Sequence, residues 1–406
     1  MKQKVVVIGH GYTSRLGVIR ALGREGYEVI VVVMTGYKRD GKTLNTTKPV
    51  DCYSKYASRV LYCPSEKERL LQLLLCNCVD PEQKVVIIPD SDFSTAVVDE
   101  NAERLRDFFL FPHINHKPGE IVVWMDKFKQ KELAANVGLN VARGWQIDVV
   151  NGFYMLPAEI QYPCFLKPLA TLKGGKRGLK QCNNEAELKD GIAILAETTP
   201  TISILAEEFR KIDIEHALLG FSDGLEVIIP GIIKIKSLAH GGHFGVAKQG
   251  VIMPVTGYEG LIEKFKRFVL ETGFIGIFDI DFYQSEGKYF FCEMNFRYGG
   301  SGYAYTAMGV NLPAMFVKSL LGESISDMKK SVTESTVFVN ERMCLEDWRD
   351  GYISTKVFQQ MVNDAEISFV KDYEDKEPEI PFHKSVKKET LSFKRIGKWL
   401  LRGGWR

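Results

Sequence analysis

The chain has 406 residues, 45% hydrophobic and 26% charged, with 53 Lys+Arg against 51 Asp+Glu. That length suits two or three packed domains, and the apolar fraction excludes general disorder. A formal charge of +2 excludes a uniformly basic coat protein, and no nucleic-acid partner is expected.

Lys4–Ile8 is a short β-rich run that ends at Gly9. It is too short for a signal peptide, and no cleavage site follows. A helix-period stretch covers about Arg15–Gly26, and a second strand covers Glu28–Val33. Val85–Ile88 is a further strand, leading into Pro89-Asp90-Ser91-Asp92. Strands alternating with helices predict a parallel sheet covered by helices. This first, Rossmann-like domain is assigned to residues 1–112. Gly9-His10-Gly11 matches part of a dinucleotide fingerprint, but Ser14 stands where the third glycine belongs. Met34-Thr35 stand where an acidic residue would hold the ribose. An NAD-dependent oxidoreductase is disfavoured on both counts. The turn's amides still suit an anion.

Residues 112–118 read as a linker. A helix over about Asp126–Val137 stops at Gly138. From Ile204 the chain is strand-rich, with hairpin signals at Ser222-Asp223-Gly224 and Ser285-Glu286-Gly287. Helices are expected near Tyr258–Thr272 and Ala304–Leu321. The corresponding assignments are 113–203, 204–322 and an extension over 323–406. The fold class is α/β and α+β. No run of about 18 apolar residues occurs, so no spanning helix is expected. The eight cysteines lack any CxxC pair and read as reduced, which favours the cytoplasm. His113/His116 and His240/His243 have no Cys at zinc spacing, so a structural zinc is not expected.

The chemistry concentrates between residues 126 and 297. In Phe278–Arg297 two apolar strands flank a Ser-Glu-Gly turn. Strand alternation puts Asp279 and Asp281 on one face, and Glu293 and Asn295 likewise. Folding about Gly287 sets Asp281 opposite Glu293. Carboxylates this dense among Phe278, Phe290, Phe291 and Cys292 need cations. Oxygen ligands on rigid strands suit Mg²⁺ with substrate phosphates. An exposed polar sheet face is the bland alternative. Lys167 ends a strand, and Lys173-Gly174-Gly175-Lys176-Arg177-Gly178 makes a loop able to wrap phosphates. Lys127 opens the helix after Asp126, and Glu207-Glu208-Phe209-Arg210-Lys211 leaves a strand ahead of Glu215. Each of these taken singly is a weak signal.

Their order resembles the ATP-grasp superfamily over about residues 1–322. The resemblance implies a two-lobed ATP-grasp module after the Rossmann-like domain, followed by the C-terminal extension. It implies ATP with Mg²⁺, two ions, which Mn²⁺ can replace. By position, Lys127 and Lys167 match the phosphate-binding lysines, and 171–178, with Lys173, Gly174 and Gly175, matches the mobile lid. Glu208 to Lys211 match the adenine hinge, and Glu215 the ribose carboxylate. Asp281, Glu293 and Asn295 match the metal ligands, with Asp279 an alternative to Asp281. Arg297 matches the arginine that holds the reacting carboxylate or acyl phosphate, and with Lys167 forms the catalytic pair. The stretch Asn295-Phe296-Arg297-Tyr298-Gly299-Gly300-Ser301-Gly302, with Gly309-Val310-Asn311-Leu312-Pro313, is similar to carboxylate–amine ligases of the D-aspartate ligase kind. Those attach an amino acid to an amine of a cell-wall precursor. The partners so implied are a small amino acid or carboxylate and an amine acceptor. The base for that amine is left open between solvent, Asp279 and a histidine of His240-Gly241-Gly242-His243. A non-catalytic nucleotide-binding relative is the competing reading.

Beyond residue 322 the resemblance ends. Asp372, Glu374, Asp375, Glu377 and Glu379 form an acidic run that reads as a linker. Residues 382–406 hold eight Lys/Arg and one Glu, so the rest of the chain is mildly acidic. Phe393, Ile396 and Leu400 fall on one helical stripe beside Trp399. This pattern suits peripheral contact with an anionic membrane surface. A helix docked on its own protein, or a solvated tail, is the alternative.

Overall fold

The computed structural model describes residues 2–10, 12–169, 179–240 and 245–390. The chain opens with β1 (Lys4–Gly9), α1 (Tyr12–Arg24), β2 (Glu28–Thr35), β3 (Ala57–Pro64), α2 (Lys67–Asn77), β4 (Val85–Pro89), α3 (Asp92–Glu100), α4 (Ala102–Leu105) and β5 (Phe109–Leu110). The five strands form a parallel sheet in the order β3-β2-β1-β4-β5. Its strands are continuous apolar runs because both faces are covered. Val5, Val7, Val29 and Val31 enter one core cluster, whereas Val6, Ile8, Ile30 and Val32 enter another. At the β1–α1 turn a Cβ on Gly9 would fall 1.1 Å from Asp90 Oδ1, so only glycine fits. The expected strand–turn–helix start is thus present.

Next come β6 (His113–Ile114), α5 (Glu120–Trp124), α6 (Lys127–Asn136), β7 (Asn140–Val141), β8 (Gly144–Val149), β9 (Cys164–Pro168), β10 (Lys180–Cys182), α7 (Glu185–Thr198) and β11 (Ile202–Glu208). Strands β8 to β11 make an antiparallel sheet in the order β10-β9-β11-β8. Asp126 caps α6, accepting from the amides of Phe128 (2.8 Å) and Lys129 (3.0 Å). That cap fixes where Lys127 leaves the helix.

The third sheet is built from β12 (Ile214–Ser222), β13 (Val227–Ile228), β14 (Ile232–Leu238), β15 (Ala247–Met253), β16 (Phe274–Ser285) and β17 (Lys288–Asn295), with α8 (Glu259–Thr272) between β15 and β16. After them come α9 (Gly302–Ala307), α10 (Leu312–Leu320), β18 (Thr336–Val339), α11 (Glu341–Arg349), α12 (Thr355–Asn363), β19 (Ile367–Ser368) and α13 (Glu379–Thr390). The order is β19-β18-β15-β14-β12-β16-β17-β7, with β13 on β12 and β6 on β16. One face of this sheet packs against α1, α9 and α10. Ala217, Leu219, Ile233, Ile252 and Phe338 share a core with Val18, Leu22, Tyr303 and Phe316.

Two expectations are corrected. The single helix over 304–321 is two helices, because Gly309 takes φ +81° and Asn311 restarts the chain as the cap of α10. The acidic run is not a linker. Asp375 is fully buried, and Arg20 of α1, also fully buried, donates to it from Nε at 2.8 Å. Arg20 further donates to the carbonyls of Phe369, Val370 and Asp375. Arg24 reaches Asp372 and Glu374. All eight cysteines are free, as the sequence predicts. Among the described residues no helix is long and apolar enough to cross a membrane. The stripe Phe393, Ile396 and Leu400 lies outside the described residues.

Candidate active site

The hairpin β16–β17 brings the acidic residues together, as expected, but through a break in the regular register. Asp281 pairs with Glu293 and Asp279 with Asn295. A register shift beside Asp281 leaves Cys292 as the extra residue of a bulge. Asn295 Nδ2 donates to Asp281 Oδ2 at 3.3 Å. Burial, then the charges of Asp279 and Glu293, push the Asp281 carboxyl well above its ordinary range. Burial, with Glu293 and Asp92 adding to it against Arg297, raises Asp279 to about 6. These are carboxylates short of positive charge.

Cations approach from two other elements. Lys127, at the start of α6, contacts the Glu293 carboxylate. Burial opposes ionisation of Glu293, but Lys127, Lys167 and Arg297 outweigh it and hold its carboxyl below the usual range. Lys167, near the end of β9, pairs with Glu207 of β11 at 2.5 Å. Lys131, one turn after Lys127, reaches the same Glu207 at 3.2 Å. Burial lowers the Lys131 pKa, and Glu207 only partly offsets it. Arg297 donates from Nε to Asp92 Oδ1 at 2.9 Å and lies 3.8 Å from Asp279. Asp92 is the first residue of α3, so this ion pair joins the parallel sheet's end to the hairpin.

Four of the expected residues, Lys127, Lys167, Asp281 and Glu293, therefore converge, with Asn295 and Arg297 adjoining. The geometry gives Asp281 to Glu293 and Asn295, and Asp279 to Arg297. Glu208 points elsewhere: it pairs with Arg210 at 2.8 Å, and its amide donates to the carbonyl of Arg143. Its neighbour Glu207 is the one that meets the lysines. Lys211 is exposed, and Glu215 is partly buried on β12 opposite Tyr283, its pKa raised by burial. Lys173, Gly174 and Gly175 lie outside the described residues. Glu207, Lys131 and Asp92 are additional site residues. The i, i+4 spacing of Lys127 and Lys131 is a signal that would have found one of them.

Among the described residues, no three His, Cys, Asp or Glu side chains form a metal cage alone. The donor set is two carboxylates and an amide oxygen. An all-oxygen set with this uncompensated charge fits Mg²⁺, which keeps water and phosphate ligands of its own.

A family model described as "Carbamoyl-phosphate synthase L chain, ATP binding domain" matches residues 126–328, half of the chain. The chain belongs to this family. The match takes in α6, Lys167, Glu207 and the hairpin, so every clustered residue but Asp92 sits inside an ATP-binding domain of the ATP-grasp type. A carbamoyl phosphate synthase large chain of Gemmatimonas aurantiaca is 20% identical over 341 residues, covering 80% of this chain and 29% of the relative. The chain thus spans less than a third of the length of such large chains. A D-alanine–D-alanine ligase of Staphylococcus epidermidis is 24% identical, over 77% of this chain and 91% of its own. Among solved structures, an L-amino acid ligase from Bacillus licheniformis superposes with a TM-score of 0.59 at 15% identity, over 83% of this chain and 79% of its own. An N5-carboxyaminoimidazole synthetase from Staphylococcus aureus with ADP gives 0.58 at 16%, over 83% and 82%. These likenesses give the fold.

Proposed function

We propose that this protein is an ATP-dependent carboxylate–amine ligase that makes an amide through an acyl phosphate. The observation that carries the reading is the convergence of the Asp281–Glu293 pair, three lysines and Arg297 at one end of the hairpin. A carboxylate is a poor electrophile, and phosphoryl transfer from ATP makes it reactive. Lys127 and Lys167 neutralise the phosphates, and each rests on a glutamate until they arrive. Lys131 keeps Glu207 occupied when Lys167 turns to phosphate. Asp281, Glu293 and Asn295 would hold Mg²⁺, which supplies charge neutralisation at the transferring group. Arg297 offers its fork to the substrate carboxylate.

The activated acid we favour is an amino acid such as D-aspartate, joined to an amine of a peptidoglycan or other envelope precursor. The run after Arg297 supports it. Gly299 has no room for a side chain, since a Cβ would stand 2.4 Å from Asp279 Oδ2. The backbone at Gly299 thereby lies against the Asp279 carboxylate. Similarity to a dipeptide-forming ligase agrees. The test is phosphate release from ATP and Mg²⁺ with a panel of D- and L-amino acids and hydroxylamine. Hydroxamate with one acid names it; absence of hydroxamate and of ADP with every acid refutes the ligase.

A further inference from the structure

The reaction needs a base for the incoming amine, and a group outside the phosphate site fits the task. His240 follows β14. Its amide donates to Asp347 Oδ1 at 2.9 Å, and its ring Nδ1 lies 2.8 Å from Asp347 Oδ2. Lys248 of β15 donates to the same Oδ2 at 2.6 Å. Asp347 and Lys248 are both buried, whereas the His240 side chain is 50% exposed and stacks on Tyr352 at 4.8 Å. Burial opposes ionisation of Asp347, but Lys248 and His240 outweigh it and hold the carboxyl below its usual range. An ionised carboxylate only accepts, so it assigns the ring proton to Nδ1 and leaves the lone pair on Nε2.

The location fits as well. Lys248 alternates with Gly250 and Ile252, and Ile252 is in register through Ile233 and Ala217 with Asp281. Lys248 and Asp281 therefore share the sheet face that looks toward α1. The carbonyl of Lys248 accepts from the amide of Asn340 at 2.9 Å, and Asn340 Nδ2 lies 3.4 Å from Thr13 Oγ1 in the first turn of α1. Arg297 meets the first turn of α3 through Asp92. Helices α1 and α3 start at the C-terminal ends of the neighbouring strands β1 and β4. Open parallel sheets bind ligands in that crevice. The dyad is thus tied through Asn340 to the first turn of α1, and Arg297 through Asp92 to that of α3, at the ends of adjacent strands.

We infer that His240 is the base for the attacking amine and that Asp347, on α11 beyond the matched family domain, is its positioning residue. This rests on the ligase reading above. His240 Nε2 takes one proton from the substrate ammonium, and the freed nitrogen lone pair attacks the acyl carbon. The C–N bond forms, the bond from carbon to the phosphate oxygen breaks, and phosphate leaves with that electron pair and the second N–H proton. The imidazolium returns its proton to solvent. The ring faces Asp347 of α11, Tyr352 beyond it and, through Asp347, Lys248 of β15.

The test compares two nucleophiles with the full chain, ATP, Mg²⁺ and the amino acid of the panel giving most hydroxamate. Hydroxylamine is already neutral at pH 7, whereas Nα-acetyl-L-lysine must first lose a proton. His240→Gln should lower the amide-to-hydroxamate ratio about 100-fold or more. Asp347→Asn should do the same, because its amide would donate to Nδ1 and drive the ring proton to Nε2. Nitrogen-15 NMR of the imidazole reads this directly, with Nδ1–H in the wild type and Nε2–H in Asp347→Asn. An unchanged ratio in His240→Gln, or an Nε2–H wild type, overturns the assignment of the base. A wild type that forms no hydroxamate overturns the ligase reading, and this inference with it.

Discussion

Removing the Asp375 carboxylate should destabilise the protein far more than loss of a surface charge. Arg20 and Asp375 are both fully buried. Asp375 takes one bond from Arg20 Nε at 2.8 Å and another from the Lys55 amide at 2.9 Å. Deleting one partner of a buried pair costs about 3–5 kcal/mol, since the other charge stays behind unpaired. Asp372 remains 3.8 Å from Arg20 and screens part of that charge. The expected cost of Asp375→Ala is therefore at the low end, about 3 kcal/mol. Replacing both residues, as in Arg20→Met with Asp375→Leu, removes the stranded charge and should recover at least half of the loss. Urea unfolding followed by tryptophan fluorescence suits the measurement, because buried Trp348 packs in a cluster with Val370 and Phe382. A loss below about 1 kcal/mol, the scale of an exposed pair, would refute the claim that this segment is locked into the core.

Three further outcomes are expected. Glu293→Gln and Lys167→Ala should each abolish ADP formation while circular dichroism stays native; near-normal turnover in either would remove the site assignment. Burial raises the Asp90 carboxyl to about 7, against about 3.9 in an unfolded chain. Folded protein then holds a proton between about pH 4 and 7 that the unfolded chain has released, so this group lowers stability as pH rises through that window. Asp90→Asn should remove that fall and be more stable than wild type at pH 8, by up to about 4 kcal/mol, with no gain at pH 4; equal unfolding curves at pH 8 would contradict it. Truncation after Thr390, which spares buried Phe382, should abolish sedimentation with anionic liposomes if residues beyond 390 bind them; retention of binding excludes that role.

The hairpin was legible from its two apolar strands about Glu286-Gly287, but the regular register there sets Asp281 against Cys292; the bulge at Cys292, which alternation does not announce, brings Glu293 opposite Asp281. The β1–α1 start was legible from its unbroken valines and glycine. Where reading failed, the partner lay far away in the chain. Asp372 and Asp375 read as part of a linker because Arg20, their cation, is some 350 positions earlier. Asp92 read as a strand end because its partner Arg297 is 205 residues on. The Glu207-Glu208 pair gave no local ground for choosing between them; the strand pairing decides, turning Glu207 toward Lys131 and Lys167. The break in the 304–321 helix was readable, since Gly309 and Asn311-Leu312-Pro313 are a stop and a start signal. The apolar period running through them concealed it.

The Arg20–Asp375 contact also sets a clock on biosynthesis. The two residues are separated by 355 positions. At about 5–20 residues per second, Arg20 emerges roughly 20–70 s before its partner. For most of that interval α1 holds a guanidinium and the apolar side chains of Val18, Ile19 and Leu22 before Tyr303, Phe316 and Phe369 are made to cover them. The nascent N-terminal sheet therefore keeps that apolar face uncovered until most of the chain is made.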